Sequence, residues 1–215
     1  MLLLALDTST PAVSVAVCRD GKELAAEAVV DARRHNELLA VHVEAVLARA
    51  GVTPRQLDGV AAGVGPGPYT GLRVGLMTAR ALAHALGIPA YGICSLDVLA
   101  RAAARVIDGE FVVATDARRK EVYWASYANG DRVSGPSVDK PAEVAYAGPV
   151  VGEGALLYPE SFPAACRPLY PDPVDLAAIV EEHVAAGRPT LPLEPLYLRK
   201  PDAVEPGARK RVVGC

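Results

Sequence analysis

Short apolar runs alternate with amphipathic stretches along this chain, which is the pattern of an α/β protein. Residues 2–6 are continuously apolar, as expected for a strand buried on both faces of a sheet. β-Branched residues at alternate positions over 12–18 predict a second strand, which Asp20-Gly21 would connect through a hairpin turn to a third strand over 22–30. The first thirty residues therefore predict a three-stranded antiparallel unit.

The following segment has the longer periodicity of helices, interrupted by short buried strands. Glycines at 51 and 87 end the two longest apolar faces, as expected at helix C-termini. The predicted elements are a helix over 35–50, a strand over 60–64, a helix to Leu86 with Thr70 as its candidate N-cap, a strand over 90–93 and a helix from Ser95 to about 106.

The opening pattern then repeats. Asp7 and Asp116 each follow an apolar strand, and each lies 13 positions before a turn pair, Asp20-Gly21 or Asn129-Gly130, so that the offset between the copies is 109 residues. This spacing predicts an internal duplication, with a coincidence of two common hairpins as the alternative. We predict an N-terminal lobe over 1–106, a C-terminal lobe over 107–200 and a disordered tail over 201–215.

The second half has weaker patterns after its predicted hairpin. Strands are expected over 121–127 and 132–138. Residues 150–151 resemble a parallel strand that enters a glycine-rich turn, and 159–173 resemble a proline-rich loop. A helix over 174–186 and a short ordered stretch over 196–199 complete the expectation.

Composition limits the class of protein. Hydrophobic residues make up 51% and charged residues 22%, and the formal net charge is −3, which argues against a general nucleic-acid binder. Basic clusters are each typical of a solvated surface, but together they are a candidate RNA-facing strip. They are Arg33-Arg34, Arg118-Arg119-Lys120, Arg199-Lys200 and Arg209-Lys210-Arg211.

Cysteines and histidines offer little metal chemistry. The four cysteines are scattered without a Cys-x-x-Cys pair, which argues against a zinc site and a disulfide framework. His35 and His42 lie seven residues apart, and no His-x-x-x-His motif occurs. We predict no metal site, reduced cysteines and a cytoplasmic location, because the N-terminus has no basic leader and no span long enough for a membrane.

Three patterns are candidates for binding. Asp7-Thr8-Ser9 forms either a phosphate and metal–water site or an ordinary Asx turn. The loop from Gly65 to Arg73, rich in glycine and proline, precedes a helix N-terminus and is either an anion site or a rigid turn. Small residues recur every four positions at Gly71, Gly75, Ala79 and Ala83. This spacing is equally consistent with internal helix packing and with a subunit interface.

Several motifs together resemble the bacterial TsaB family, also called YeaZ, over about residues 1–200. They are Leu-Ala-Leu-Asp7-Thr-Ser-Thr, Arg34-His-Asn-Glu-Leu-Leu39, Gly65-Pro-Gly-Pro-Tyr-Thr-Gly-Leu-Arg-Val-Gly75, Asp116-Ala-Arg-Arg-Lys-Glu-Val-Tyr123 and Pro195-Leu-Tyr-Leu-Arg199. The glycine-proline loop is the most specific of them.

The resemblance implies an actin-like ATPase (ASKHA) fold with two ribonuclease-H-like lobes and a duplicated βββαβα core. It also implies a noncatalytic subunit of the complex that makes N6-threonylcarbamoyladenosine at position 37 of tRNA. In that complex the paralogue TsaD is the catalyst, TsaE joins the pair, and tRNA is reached through the complex. The family also forms a homodimer when TsaD is absent. ATP or ADP is expected only at the interface with TsaD.

The resemblance also assigns candidate residues, and no catalytic or metal-binding residue is expected. A vestigial nucleotide cleft is expected at Asp7, Thr8, Ser9, Asp116, Gly152 and Gly154. A partner interface is expected at His35, Leu38, Leu39, His42, Gly71, Arg73, Gly75, Ala79 and Ala83.

The sequence departs from a working actin-like ATPase beside both aspartates. Thr8-Ser9 and Ala117-Arg118 stand where such enzymes carry a glycine that lets phosphate approach, and Glu153 separates Gly152 from Gly154. The alternatives are an actin-like ATP-binding kinase or ATPase that uses Asp7 and Asp116, which the missing glycines argue against, and a metalloprotease, which the absence of paired histidines argues against.

Overall fold

Two five-stranded sheets with the same topology form the framework. The computed structural model describes residues 1–31 and 34–199. Sheet A has the order β3-β2-β1-β4-β5 and sheet B the order β8-β7-β6-β9-β10. In each sheet the first three strands are antiparallel and the last two run parallel to the central one. Sheet A contains β1 (Leu2–Asp7), β2 (Ala12–Arg19), β3 (Lys22–Val30), β4 (Gly59–Gly63) and β5 (Ala90–Ile93). Sheet B contains β6 (Glu110–Asp116), β7 (Val122–Ala128), β8 (Asp131–Asp139), β9 (Val150–Val151) and β10 (Ala165–Cys166).

Within the described residues, three α-helices follow the first three strands of each sheet along the chain and alternate with its last two strands. They are α1 (His35–Ala50), α2 (Tyr69–Leu86), α3 (Ser95–Ala103), α4 (Pro141–Val144), α5 (Glu153–Leu157) and α6 (Pro173–Ala185). Each half therefore reads βββαβαβα, which confirms the duplication and the actin-like fold. Both hairpin pairs, Asp20-Gly21 and Asn129-Gly130, have positive φ at both residues, as a tight turn between twisted strands requires.

The helices cover the sheets in a crossed arrangement. Side chains from α1 and α2, such as Leu39 and Leu76, pack on one face of sheet A against Leu4 and Leu6. The other face of sheet A is covered by α6, while α3 contributes to the core on sheet B. The last helix of each half thus covers a sheet of the other half. This exchange buries apolar surface between the lobes, which favours a fixed arrangement of the two sheets.

Some predicted elements differ from the structure. The predicted Gly-rich turn after β9 contains the start of α5, and the predicted loop over 159–173 contains β10. Both elements are too short to show a periodic pattern. α3 ends at Ala103, earlier than expected. Thr70 does not cap α2, because Pro68 occupies the N-cap position and the helix already includes Tyr69.

Some expectations fall outside the described residues or remain open. Arg33, Lys200 and the predicted tail over 201–215 lie outside the described residues. The lobe boundary at 106 stays a prediction. Within residues 1–31 and 34–199, no helix is long and apolar enough to cross a membrane.

Candidate functional site

The carboxylate of Asp7 lies at the end of β1, where the chain itself encloses it. Only 1% of the residue is exposed. Oδ1 accepts hydrogen bonds from the amide and the hydroxyl of Ser9, both at 2.7 Å. Oδ2 accepts one from the hydroxyl of Ser95 at 2.7 Å, and that hydroxyl oxygen accepts a bond from the amide of Gly65 at 3.2 Å. Both carboxylate oxygens are therefore satisfied by donors from the chain.

A glycine at the end of β4 and one in the loop that follows pack tightly against this turn. A Cβ at Gly63 would lie 1.7 Å from Oδ2 of Asp7, and a Cβ at Gly67 would lie 2.2 Å from the carbonyl oxygen of Ser9. Nonbonded atoms do not approach so closely, so any larger residue would displace the turn. The glycines of this loop are therefore required for packing.

Hydrogen bonds connect the start of α2 with the Thr8 side chain. The Thr8 hydroxyl donates to the carbonyl oxygen of Gly71 at 2.8 Å and accepts from the amide of Gly75 at 3.1 Å. A Cβ at Gly75 would lie 2.4 Å from Thr8 Oγ1, so the close approach needs a glycine there. Because Thr8 bonds these two backbone groups, its hydroxyl is engaged within the protein.

Burial raises the pKa of the Asp7 carboxyl above its ordinary value. Hydrogen bonds from Ser9 and Ser95, and the charge of His35, act in the opposite direction. His35 is itself buried, and its Nε2 lies 3.0 Å from the carbonyl oxygen of Thr10. Desolvation dominates because solvent does not reach the carboxylate.

The residues at Asp7 do not fit Mg–ATP. A metal-bound water would need access to the carboxylate, but Asp7 is almost completely buried and its two oxygens already bond Ser9 and Ser95. The adjoining cavity, lined by Thr8, His35 and Arg118 among others, measures about 160 Å³. Pockets for drug-sized ligands are roughly 300–1,000 Å³. The absence of independent nucleotide binding nevertheless stays a prediction.

The second aspartate lies in a more open environment. Oδ1 of Asp116 accepts from the amide of Arg118 at 2.8 Å, and Oδ2 lies 3.2 Å from Nη1 of the same arginine. Arg118 also lines the small cavity beside Thr8 and therefore reaches from the second half of the chain to the first. The Asp116 side chain thus holds the loop that follows β6.

Glu153 is a residue of this region whose role the sequence did not reveal. Burial and the nearby charge of Asp116 raise the pKa of Glu153 to about 7. Hydrogen bonds from the Tyr170 side chain and the Asp116 backbone act in the opposite direction and lower this pKa. Its neighbours Gly152 and Gly154 allow α5 to approach β6. A Cβ would lie 2.2 Å from the Ala114 carbonyl oxygen at Gly152 and 2.9 Å from it at Gly154. These predicted nucleotide-site glycines therefore have a clear packing role.

A larger cavity lies away from both aspartates. It measures about 600 Å³ and is lined by α3, the turn between β7 and β8, and the end of α6. Ion pairs occupy its walls: Arg132 lies 3.3 Å from Asp97, and Arg101 forms a two-fold hydrogen-bonded pair with Glu182 at 2.7 and 2.9 Å.

The predicted interface residues mostly face the protein interior. His35, Leu39, His42, Gly71, Gly75, Ala79 and Ala83 are buried, Leu38 is half-buried and Arg73 is exposed. The small-residue stripe packs against the turn at Thr8 and the core of sheet A. The partner-interface prediction at these positions stays untested.

The accessible face of these helices carries apolar residues. Val41 of α1 is 61% exposed, and Tyr69 and Met77 of α2 are 58% and 57% exposed. Contiguous exposed apolar patches can mark protein-binding surfaces, whereas single exposed apolar residues are common on any protein. Among the described residues, no group of three or more histidine, cysteine, aspartate or glutamate side chains could hold a metal ion.

Comparison with known proteins agrees with this architecture. Residues 29–170 match the family model described as TsaD, tRNA N6-adenosine threonylcarbamoyltransferase. The solved structure of YeaZ from Pseudomonas aeruginosa has a TM-score of 0.79 and 32% identity, covering 91% of this chain and all of that one. An uncharacterised protein of Mycobacterium tuberculosis, Rv3421c, is 46% identical over 94% of this chain and 93% of its own length.

Relatives with a functional name match a shorter region. The TsaB protein of Haemophilus influenzae, described as a tRNA threonylcarbamoyladenosine biosynthesis protein, is 39% identical over 126 residues. That alignment covers 58% of this chain and 53% of the relative, so it spans about half of the relative's length. The family model, the near-complete match to YeaZ and the two duplicated sheets together show that the chain belongs to the TsaB (YeaZ) family.

Proposed function

We propose that this chain is a noncatalytic subunit of the complex that makes N6-threonylcarbamoyladenosine in tRNA, and that it pairs with and activates TsaD. The observation that carries the proposal is the family match along nearly the whole chain. The TsaB proteins of Haemophilus influenzae and Escherichia coli are described as tRNA threonylcarbamoyladenosine biosynthesis proteins. TsaE joins the pair, and the chain self-associates without TsaD.

The state of the Asp7 turn supports a noncatalytic role. An actin-like ATPase needs its first-strand aspartate to face metal and phosphate, whereas Asp7 is enclosed by Ser9, Ser95 and Gly63. ATP or ADP in this proposal binds only at the interface with TsaD. Calorimetry of the isolated chain with Mg–ATP checks this point: micromolar binding with turnover that is lost in Asp7→Ala would favour an ATPase instead.

The exposed face of α1 and α2 is the surface we assign to the partner. Val41 and Met77 would bury apolar area against TsaD, and complete burial of a side chain of this size is worth about 1.5–3 kcal/mol. Gly75 and Ala79 are unsuitable for testing this surface, because a larger residue there would disrupt the packing inside the chain.

Glutamate substitutions on the exposed face of α1 and α2 test the pairing with TsaD. Val41→Glu and Met77→Glu should prevent co-purification with TsaD, while Val133→Glu, a change at an equally exposed valine on β8, should not. Circular dichroism confirms that all three variants are folded. Retained pairing in the Val41→Glu, Met77→Glu double variant would exclude this face.

Reconstitution tests the function itself. TsaD, TsaE and the enzyme that supplies the activated threonylcarbamoyl group are incubated with unmodified tRNA, with and without this chain. Modified adenosine, measured by nucleoside mass spectrometry, should appear only when the chain is present. Equal product without the chain would show that it is not part of the activity.

A further inference from the structure

Tyr69 and Tyr197 form an exposed aromatic pair at the beginning of α2. Their rings are stacked with centroids 5.6 Å apart and an angle of 14° between planes. The guanidinium of Arg73 lies 4.1 Å from the Tyr69 ring centroid, and its Nε donates to the Tyr197 hydroxyl at 2.8 Å. We call Tyr69, Arg73 and Tyr197 the aromatic platform. Its tyrosines are 58% and 42% exposed, so the arrangement is held in place without being buried.

A basic loop lies beside this platform. Arg118, Arg119 and Lys120 have φ values of 61°, 55° and 62°, and all three are exposed. Three consecutive non-glycine residues in the left-handed region are unusual, since each costs about 1–2 kcal/mol. Strain of this kind concentrates at functional sites.

Two contacts connect the loop with the platform. Arg118 lines the same small cavity as Tyr69. Two residues after Tyr197, the Arg199 side chain pairs with Glu121 and reaches the carbonyl oxygen of Ala117 at 3.4 Å. Arg118 and Arg199 therefore connect the basic loop with the platform. The acidic groups next to the loop, Asp116 and Glu121, are each paired with one of these two arginines.

This surface has the chemistry of a single-stranded nucleic-acid site. An exposed aromatic ring can stack on an unpaired base, and neighbouring cations neutralise phosphates. We propose that the aromatic platform and the loop of Arg118, Arg119 and Lys120 bind a single-stranded segment of RNA directly, with a base on Tyr69 and phosphates on the loop. The inference rests on the proposed function, and its RNA is the unpaired loop of the tRNA substrate.

The binding test uses the full chain and a fluorescently labelled RNA hairpin with an unpaired loop, in an anisotropy titration at low salt. Changing Arg118, Arg119 and Lys120 together to Asn should weaken binding. It should also reduce the magnitude of the slope of log affinity against log salt concentration by about 2, because each lost phosphate contact lowers that slope by roughly 0.7. Asn removes the charges and tolerates the left-handed conformation. Changing Arg19, Lys22 and Arg55 together to Asn is the matched control, because these exposed residues lie at the other end of sheet A.

Stacking is tested separately from charge. Tyr69→Ala should lose about tenfold in affinity, and Tyr69→Phe should retain it, because a phenyl ring also stacks. Fully duplex RNA should compete less well than the unpaired loop, whose bases are free to stack. Binding that is equal in the loop variant and the wild-type chain, or that falls equally in the control variant, would overturn the proposal.

Pairing and reconstitution of the same variants separate this proposal from the proposed function. The basic-loop variant should still co-purify with TsaD but support less tRNA modification. Lost pairing with unchanged RNA affinity would make the surface a protein interface and overturn the RNA site. If modification needs the chain but the loop and Tyr69 variants are neutral, the RNA site is wrong and the subunit function stands. If the variants lose RNA affinity but modification does not need the chain, the subunit function is wrong.

Discussion

The Ser95 hydroxyl donates a 2.7 Å hydrogen bond to Asp7 Oδ2 and thereby joins the start of α3 to the end of β1. The two residues are 88 positions apart, and both are almost completely buried. The same hydroxyl accepts from the Gly65 amide, so one side chain connects the first strand, the glycine-proline loop and the helix that reaches the second sheet. This contact makes the aspartate a structural element of the lobe.

Removal of this hydroxyl should destabilise the protein. Ser95→Ala leaves Asp7 Oδ2 and the Gly65 amide without their partner, so we expect a loss of about 2–4 kcal/mol in the free energy of unfolding. Urea denaturation followed by circular dichroism measures it. Ser134→Ala removes an exposed hydroxyl that bonds Ser126 at 2.6 Å, and it should cost no more than about 0.5 kcal/mol. Equal effects of the two changes would refute the structural role of Ser95.

Gly75 and Thr8 should be energetically coupled. Gly75→Ala improves helix propensity by about 1 kcal/mol, but its Cβ meets Thr8 Oγ1 at 2.4 Å, so we expect a net loss of stability. Thr8→Ala removes that oxygen. The double variant should therefore be more stable than the sum of the single losses predicts, by about 1 kcal/mol or more. A double-mutant cycle from urea midpoints measures this coupling, and strict additivity would contradict the close contact.

Glu153 should make stability depend on pH. Its pKa is about 7 in the folded protein and 4.5 in the reference state, so below about pH 4.5 the carboxyl is protonated in both states. Between pH 4.5 and pH 7 this carboxyl is ionised in the unfolded chain but still protonated in the folded one, so the free energy of unfolding falls as the pH rises to about 7. Glu153→Gln should therefore stabilise the protein above pH 7 and not below pH 4.5. The pKa difference sets an upper limit of about 3 kcal/mol on this gain in the free energy of unfolding. Because the side chain is partly solvated, we expect a gain of roughly 1–2 kcal/mol.

Urea unfolding of Glu153→Gln at pH 4.5 and pH 8 measures this difference. The control is Glu143→Gln, a change at an exposed position, which should leave stability nearly unchanged at both pH values. A gain for Glu153→Gln that is the same at the two pH values would show that its carboxyl does not titrate between them.

Asp175 should hold α6 to α3. It is 2% exposed, it pairs with Arg105, and it lies 3.4 Å from Nε of Arg101, an atom that is buried without another hydrogen-bond partner. Asp175→Ala removes the carboxylate that faces the buried Nε of Arg101 and should cost about 1–3 kcal/mol, because a buried donor is left without an acceptor. Glu182→Ala removes a half-exposed partner of Arg101 and should cost about 1 kcal/mol or less. Thermal unfolding compares the two, and a larger loss at Glu182 would reverse this assignment.

Much of the framework follows from local sequence patterns. The three strands of each hairpin unit, their turn pairs and the limits of α1 were predicted because alternation, glycine placement and helical periodicity act over a few residues. The duplication was also readable, since Asp7 and Asp116 keep the same spacing to their turns. The short α5 and β10 were missed because such elements depend on neighbours distant in sequence.

Tertiary structure decided what the candidate residues do. The stripe from Gly71 to Ala83 has the same spacing whether it faces a partner or the core, and only the position of Thr8 against it shows that it packs internally. In the same way the sequence placed Asp7 at a strand end, but enclosure by Ser9 and Ser95 depends on a residue 88 positions away. Local periodicity thus determined most strands, the long helices and the repeat, whereas long-range packing decided that the chain encloses the first aspartate and that Arg118 lines the same cavity as Tyr69.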